Sequence, residues 1–335
     1  MNRINWIDWG KAIAITMVVF GHIPMEADNF LLRYITIFHM PLFFFISGYL
    51  TKTGRPIKKL NSKYMTSLVY PYIIYNVVFY PYWLIRYYFE NNNEFGPIYD
   101  WTIRPFMGAL LLQYDCDFSC NLNGVTWFVA ALIIMKVTLE IATRMKYGKH
   151  FLIFISILCI IGYTANEYYL FTKNITPIGF MKCFPFYILG YKMKHLSYIN
   201  DTNVKACHYQ TLTGFTLSIL FFIISFKLQP PYIINSFLFY AISIYSILFI
   251  LAVCKLLNEV HSIIIKNISI GTLMIMGLHW MLIGTINFTC SKLFIAGNPI
   301  LYSTLQGIII CFAIMTLIYF PICWSKKHLP IFIGK

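Results

Sequence analysis

Charge is scarce in this sequence. Of its 335 residues only 11% are Asp, Glu, Lys or Arg, against about 25% in an ordinary soluble domain. With 59% hydrophobic residues and a mean hydropathy of +0.67, this composition excludes a water-soluble globule and leaves a polytopic membrane protein. Acidic residues are scarcer still, 12 against 26 Lys and Arg, for a net charge of +14. The placement of that excess argues against nucleic acid, because the bases sit in short loops between apolar runs. No signal peptide with a cleavage site is visible, so the first apolar run is expected to be retained. No internal repeat, low-complexity tract or soluble domain interrupts the chain, and one membrane domain over 1–335 is expected. His150, His195, His208, His261 and His328 lack metal-ligand spacing, which excludes a zinc site built on them.

What the chain does have is apolar runs of spanning length. They fall at about 7–24, 31–51, 66–89, 125–143, 150–170, 177–193, 211–228, 232–254, 268–289 and 301–324. The fold class is therefore all-α, a polytopic membrane protein with about ten transmembrane helices. The run at 177–193 is the least apolar and holds Lys182, Pro185 and Gly190. One set of loops carries bases such as Lys52, Arg55, Arg144, Lys149, Lys205, Lys266 and Lys327. The opposite set carries Glu26, Asp28, Glu90, Glu94, Asp100, Asp115, Asp117 and Glu167. By the positive-inside rule both termini are cytoplasmic. The longest outer loop, about 90–124, holds Cys116 and Cys120 in "CDFSC", where a disulfide and two free thiols are both open.

The first run, "WGKAIAITMVVFGHIP", places a histidine where lipid is expected. At about 100° and 1.5 Å per residue, Asp8, Lys11 and His22 fall on one stripe, with His22 about 16 Å beyond Lys11. Ionisable groups at such depth are costly and usually mark a functional path. Gly21 would permit close approach of another group. The competing reading is a histidine bonded to a neighbouring helix's carbonyl, with Asp8 and Lys11 as interface anchors. The next run, "FHMPLFFFISGYLTKTGRP", brings a second histidine, His39, followed by Pro41, Ser47 and Gly48.

"IDWGKAIAITMVVFGH" followed by "FHMPLFFFISGYL" resembles the start of the acyltransferase family 3 proteins, integral membrane O-acyltransferases of about ten helices. The family's first-helix motif is a base, ten residues, then His, which Lys11 and His22 match. The wording of the second helix resembles the branch of fucose 4-O-acetylases and other sugar O-acetyltransferases. "GVTWFVAALI" around Trp127, "FPFYILGYKM" and "SIGTLMIMGLHWML" with His279 resemble later segments. Many members carry an Arg-x-x-Arg pair before the third helix. Here Lys58, Lys59 and Lys63 keep the charge without the arginine fork.

The resemblance implies an acyl-CoA donor, with acetyl-CoA expected, and a sugar or glycan acceptor on a surface polysaccharide or glycolipid precursor. It needs no metal. Lys58, Lys59 and Lys63 are candidates for the donor's phosphates, though such lysines also simply set topology. A sugar hydroxyl needs a base, and His22 is the candidate, as base or as transient acyl carrier. Asp8 would pair with Lys11 and hold it; neither reaches His22, and the sequence does not name what orients the imidazole. Candidates to line the substrate or stabilise the oxyanion are His39, Ser47, Trp127 and His279. Each has a packing alternative: core hydrogen bonding for His39, small-residue helix contact for Ser47, an interfacial belt for Trp127 and helix packing for His279. The expected location is the plasma (inner) membrane, multi-pass. The acceptor, the acyl length and the oligomeric state, a homo-oligomer included, stay open. The rival from another class is a proton-coupled transporter or exporter of an envelope precursor.

Overall fold

A computed structural model describes residues 4–26, 28–54, 56, 62–170, 172–194, 203–294 and 300–335. Among them the chain is helical, with no strand beyond isolated bridges such as Met25 to Tyr302. The helices are α1 (Asn5–Gly21), α2 (Phe30–Leu50), α3 (Tyr70–Glu90), α4 (Ile98–Leu110), α5 (Trp127–Arg144), α6 (Gly148–Tyr169), α7 (Ile175–Met193), α8 (Val204–Leu228), α9 (Tyr232–Leu256), α10 (Ile263–Ile270), α11 (Thr272–Phe294) and α12 (Thr304–His328). Ten of these are the long helices that the apolar runs predict. Eight are long and apolar enough to cross a membrane by themselves. The other two long ones, α1 with 17 residues and α7 with Lys182 and Lys192, lie inside the bundle. There α1 touches α2, α9, α10, α11 and α12, and α7 touches α2, α5 and α6. Neighbours shield them, so neither must present a wholly apolar surface to lipid.

Two features depart from the expectation. The outer loop is partly helical, because Ile98–Leu110 folds as α4. Cys116 and Cys120 in that loop are unbridged thiols, and Cys116 Sγ lies 2.9 Å from Ser119 Oγ. More consequentially, α1 stops at Gly21, so His22 caps the helix rather than sitting within it. Pro24 gives the reason. It cannot continue the backbone ladder, and it pushes Ile23 away from helical geometry.

Chain direction gives the bundle two ends. Asn5, at the start of α1, donates to the Val260 carbonyl at 3.1 Å beyond the end of α9. At the opposite end the Tyr302 N–H donates to the Pro24 carbonyl at 2.9 Å, and Asn29 Nδ2 donates to Thr304 Oγ1 at 2.8 Å. The first end gathers Lys52, Lys63, Lys136, Lys194, Lys255 and Lys326; the second gathers the eight acids named above. They are called here the basic end and the acidic end.

Small residues set the tightest crossing. A Cβ on Gly48 of α2 would lie 1.9 Å from the Tyr187 carbonyl oxygen, and one on Gly190 of α7 would lie 2.0 Å from the Phe45 carbonyl oxygen. Two backbones are thus in direct contact, the close approach that small residues allow between membrane helices. Helix ends are capped locally: Asn29 Oδ1 accepts from the Leu32 N–H at 3.0 Å, and Ser303 with Gln306 closes a capping box on α12.

Candidate active site

Three histidines meet at the acidic end of α1. His22 sits at that helix's last turn, and its ring centroid is 4.9 Å from that of His279 on α11, at 73°. His39 of α2 comes within van der Waals reach of Gly21: a Cβ placed there would be 3.9 Å from its Cε1 and 3.5 Å from Thr36 Cγ2. These are ordinary contacts, so Gly21 has room for a methyl, and the close approach expected there belongs to Gly48 instead.

All three imidazoles are held in one way. Nδ1 of His22 bonds the Val18 carbonyl at 2.8 Å, that of His39 the Ile35 carbonyl at 2.9 Å, and that of His279 the Ile275 carbonyl at 2.8 Å. A carbonyl oxygen only accepts, so each Nδ1 carries the hydrogen. In the neutral ring Nε2 is then the lone-pair nitrogen, the form a general base needs. The group that orients His22 is therefore its own helix, one turn back, and not a neighbouring one. His279 is fully buried, and its Nε2 has no hydrogen-bond partner among the described residues.

His22 opens onto a cleft of about 640 Å³ between α3 and α11, lined also by Tyr82, Arg86, Glu90, Trp280 and Ser291. The Trp280 ring is 6.0 Å from His22. The same indole walls an adjoining cleft of about 320 Å³ with Asn121 and Gly124. A Cβ on Gly124 would lie 2.4 Å from the Trp280 ring, which is why glycine stands there. Arg86 and Glu90 form an exposed i,i+4 pair on α3 at 2.5 Å in the cleft wall. Trp280, Arg86 and Glu90 were not candidates from sequence. Trp280 sat in view beside His279, and the pair at i,i+4 is a recognisable helix motif.

The polar stripe of α1 meets Ser269. Ser269 Oγ donates to Asp8 Oδ1 at 2.6 Å, and Lys11 Nζ donates to the Ser269 carbonyl at 2.5 Å. Ser269 lies in the last turn of α10, and ten residues on, His279 meets His22. Asp8, Lys11 and His22 thus all look onto "SIGTLMIMGLHW". Gly271 makes the break between α10 and α11, pressed so close that a Cβ would lie 2.4 Å from Ile322 Cδ1. Ser269→Ala removes a hydrogen bond to a buried carboxylate, worth about 1.5–3 kcal/mol. It should lower the melting temperature of the detergent-solubilised protein; an unchanged melt would mean the junction is slack.

The remaining candidates lie elsewhere. Trp127 lies flat on α7, where a Cβ on Gly179 would be 2.0 Å from its ring, and beside Phe44 at 6.0 Å. The Ser47 carbonyl accepts from the Thr51 Oγ1 hydroxyl at 2.8 Å near the basic end of α2, about 12 Å along the helix from His39. Lys58 and Lys59 lie outside the described residues. Lys63 is exposed and near enough to Lys136 to repel it. Around the end of α2 the structure adds what sequence missed: Lys136 Nζ donates to Thr51 Oγ1 at 3.1 Å, Lys194 Nζ to the Thr51 carbonyl at 3.2 Å, and the Tyr187 hydroxyl lies 3.0 Å from Thr51 Oγ1. Burial and the nearby Lys52 ammonium hold Lys194 below the ordinary lysine range. Among the described residues no cluster of His, Cys, Asp and Glu could hold a metal ion.

Comparison with known proteins gives the family. The profile of a family described as Acyltransferase domain, acyltransferase 3, matches residues 4–325. Among curated proteins, the nodulation protein NolL of Mesorhizobium japonicum (strain LMG 29417 / CECT 9101 / MAFF 303099) is 26% identical over 206 residues, 57% of this chain. The aligned part spans about half of that relative, 48% of its length. No solved structure matches.

Proposed function

This chain belongs to the acyltransferase 3 family, a multi-pass membrane acyltransferase, and we propose that it moves an acetyl group from acetyl-CoA to a hydroxyl of a sugar or glycan acceptor with His22 as general base. The observation that carries this reading is the His22 imidazole, fixed through Nδ1 by Val18 and lining the cleft beside Trp280. In the step, His22 Nε2 takes the hydroxyl proton. The freed oxygen attacks the thioester carbonyl, the C–S bond breaks, and the CoA thiolate leaves with the proton that His22 returns.

The other groups take roles their hydrogen bonds favour. His39, in the tautomer its Ile35 bond selects, accepts at Nε2 and suits a second acceptor hydroxyl better than an oxyanion. The indole N–H of Trp280 has no acceptor among the described residues and is the candidate oxyanion donor. Trp280→Phe, which keeps the ring and removes the N–H, should lower kcat about 10²- to 10³-fold with donor affinity unchanged. Asp8 and Lys11 hold α1 against α10 and so position His22.

The basic end is read as cytoplasmic, following the positive-inside rule. The lysines around Thr51 and Lys63 then offer point charges to the donor's phosphates, and the transfer site lies toward the outer leaflet of the plasma membrane. Purified protein with radiolabelled acetyl-CoA and a glycan acceptor tests the reading: label should pass to the acceptor with CoA release. A folded protein that neither binds acetyl-CoA nor transfers label would sink it and move a transporter of envelope precursors to the front.

A further inference from the structure

A second, larger cleft shares no lining residue with the His22 cleft. It has a volume of about 840 Å³ and is walled by α2, α6, α7, α8 and α9, all near the acidic end. No step proposed above uses it. Its lining mixes Arg33, Glu167, Lys182 and Asn235 with the rings of Phe226 and Phe239.

Lys182 is the anomaly. It sits in the middle of α7, within the bundle, where an ammonium is costly. Its Nζ rests 4.6 Å from the centre of the Phe239 ring and 5.8 Å from that of Tyr163. It makes no hydrogen bond to any described residue. Ring faces attract a cation but satisfy none of its three donors. Glu167, the carboxylate in range of it, lines the same cleft rather than closing on it. Nor is the site simply an anion trap: Arg33 is paired with Asp28 at 3.2 Å and lies over Phe226 at 5.1 Å, and Glu167 sets a carboxylate in the lining beside Arg33 and Lys182. Donors, acceptors and flat apolar rings side by side suit a ring that bears hydroxyls on its edge and C–H groups on its faces.

One residue of the cleft wall also packs toward the histidines. Thr36 lines it, and the same residue's methyl lies against Gly21, next to His22. Lys182 is near enough to bear electrostatically on His39. We propose that this second cleft binds the acceptor's sugar, with Lys182 and Glu167 on its hydroxyls, and delivers one hydroxyl toward His39 and His22. The assignment rests on the acyltransferase reading above and names its acceptor site.

The test uses full-length purified protein and the methyl glycosides of a hexose, a 6-deoxyhexose and a hexuronic acid as probes. Binding is followed by ligand-observed NMR without acetyl-CoA, and acetyl-CoA binding is measured separately by calorimetry. At least one glycoside should bind. Lys182→Met should weaken it 10-fold or more, and Glu167→Gln should weaken it in the same direction, while acetyl-CoA affinity holds within twofold. In turnover the KM for that glycoside should rise. Glycoside binding that ignores both substitutions would overturn the assignment while leaving the enzyme reading intact. So would no glycoside binding to wild type, or displacement of the glycoside by phosphatidylglycerol nanodiscs, which would make the cleft a lipid site. Loss of acetyl-CoA binding in wild type would instead strike at the acyltransferase reading itself.

Discussion

His22→Ala should abolish most acyl transfer, lowering kcat about 10²- to 10⁴-fold, the range a positioned general base supplies. The substitution removes a side chain that lines a cleft and whose hydrogen bond runs to its own helix. It therefore breaks no bond between helices, and the thermal melt should stay near that of wild type. Donor affinity should also hold, because the lysines that would meet the phosphates lie at the opposite end of the bundle. His279→Ala is the informative companion. His279 is fully buried, with no partner for its Nε2 among the described residues, so its loss opens a cavity as well as removing a neighbour of His22. It should lower stability and activity together. A pattern in which His279→Ala alone is inactive and His22→Ala is normal would reassign the base.

The second large effect is on folding. Gly48→Ala and Gly190→Ala each place a methyl about 2 Å from a carbonyl oxygen of the facing helix. Backbone cannot swing aside as a side chain can, so α2 and α7 must separate. Overpacking of this kind costs about 1–3 kcal/mol and at times more, and both variants should melt well below wild type or fail to accumulate. Gly21→Ala is the control. Its added methyl would meet Thr36 and His39 at 3.5 and 3.9 Å, and its melt should be nearly unchanged. Equal melts for all three would contradict the direct α2–α7 backbone contact.

The contrast between these glycines shows where the sequence was readable. Apolar length located the ten long helices, and the spacing of Asp8, Lys11 and His22 correctly put them on one face, since all three meet α10 and α11. Length alone did not show that α1 ends at Gly21, although Pro24 carried that signal. Periodicity could not say which small residue touches another backbone, because that depends on which helices cross. The site was legible one residue at a time. His22, His39 and His279 stood out as polar groups in apolar runs, but their convergence comes from three helices far apart in sequence. Trp280 was hidden by the abundance of aromatics, at 19% of the chain. Lys136 and Lys182 were masked for a different reason: a lysine in an apolar run reads as a weaker helix, and only the packing reveals it as a charge placed inside the bundle.

If His22 acts through its imidazole as the proton acceptor in transfer, free imidazole should rescue a variant that lacks it. His22→Ala leaves room in a cleft of about 640 Å³, enough for free imidazole to enter. Label transfer from acetyl-CoA to acceptor would be measured in this variant with rising imidazole, beside the wild type. Saturable restoration of transfer in the variant and none in wild type is the predicted result. A folded His22→Ala protein that still binds acetyl-CoA, yet either transfers at the wild-type rate without imidazole or stays inactive with it, would contradict the account.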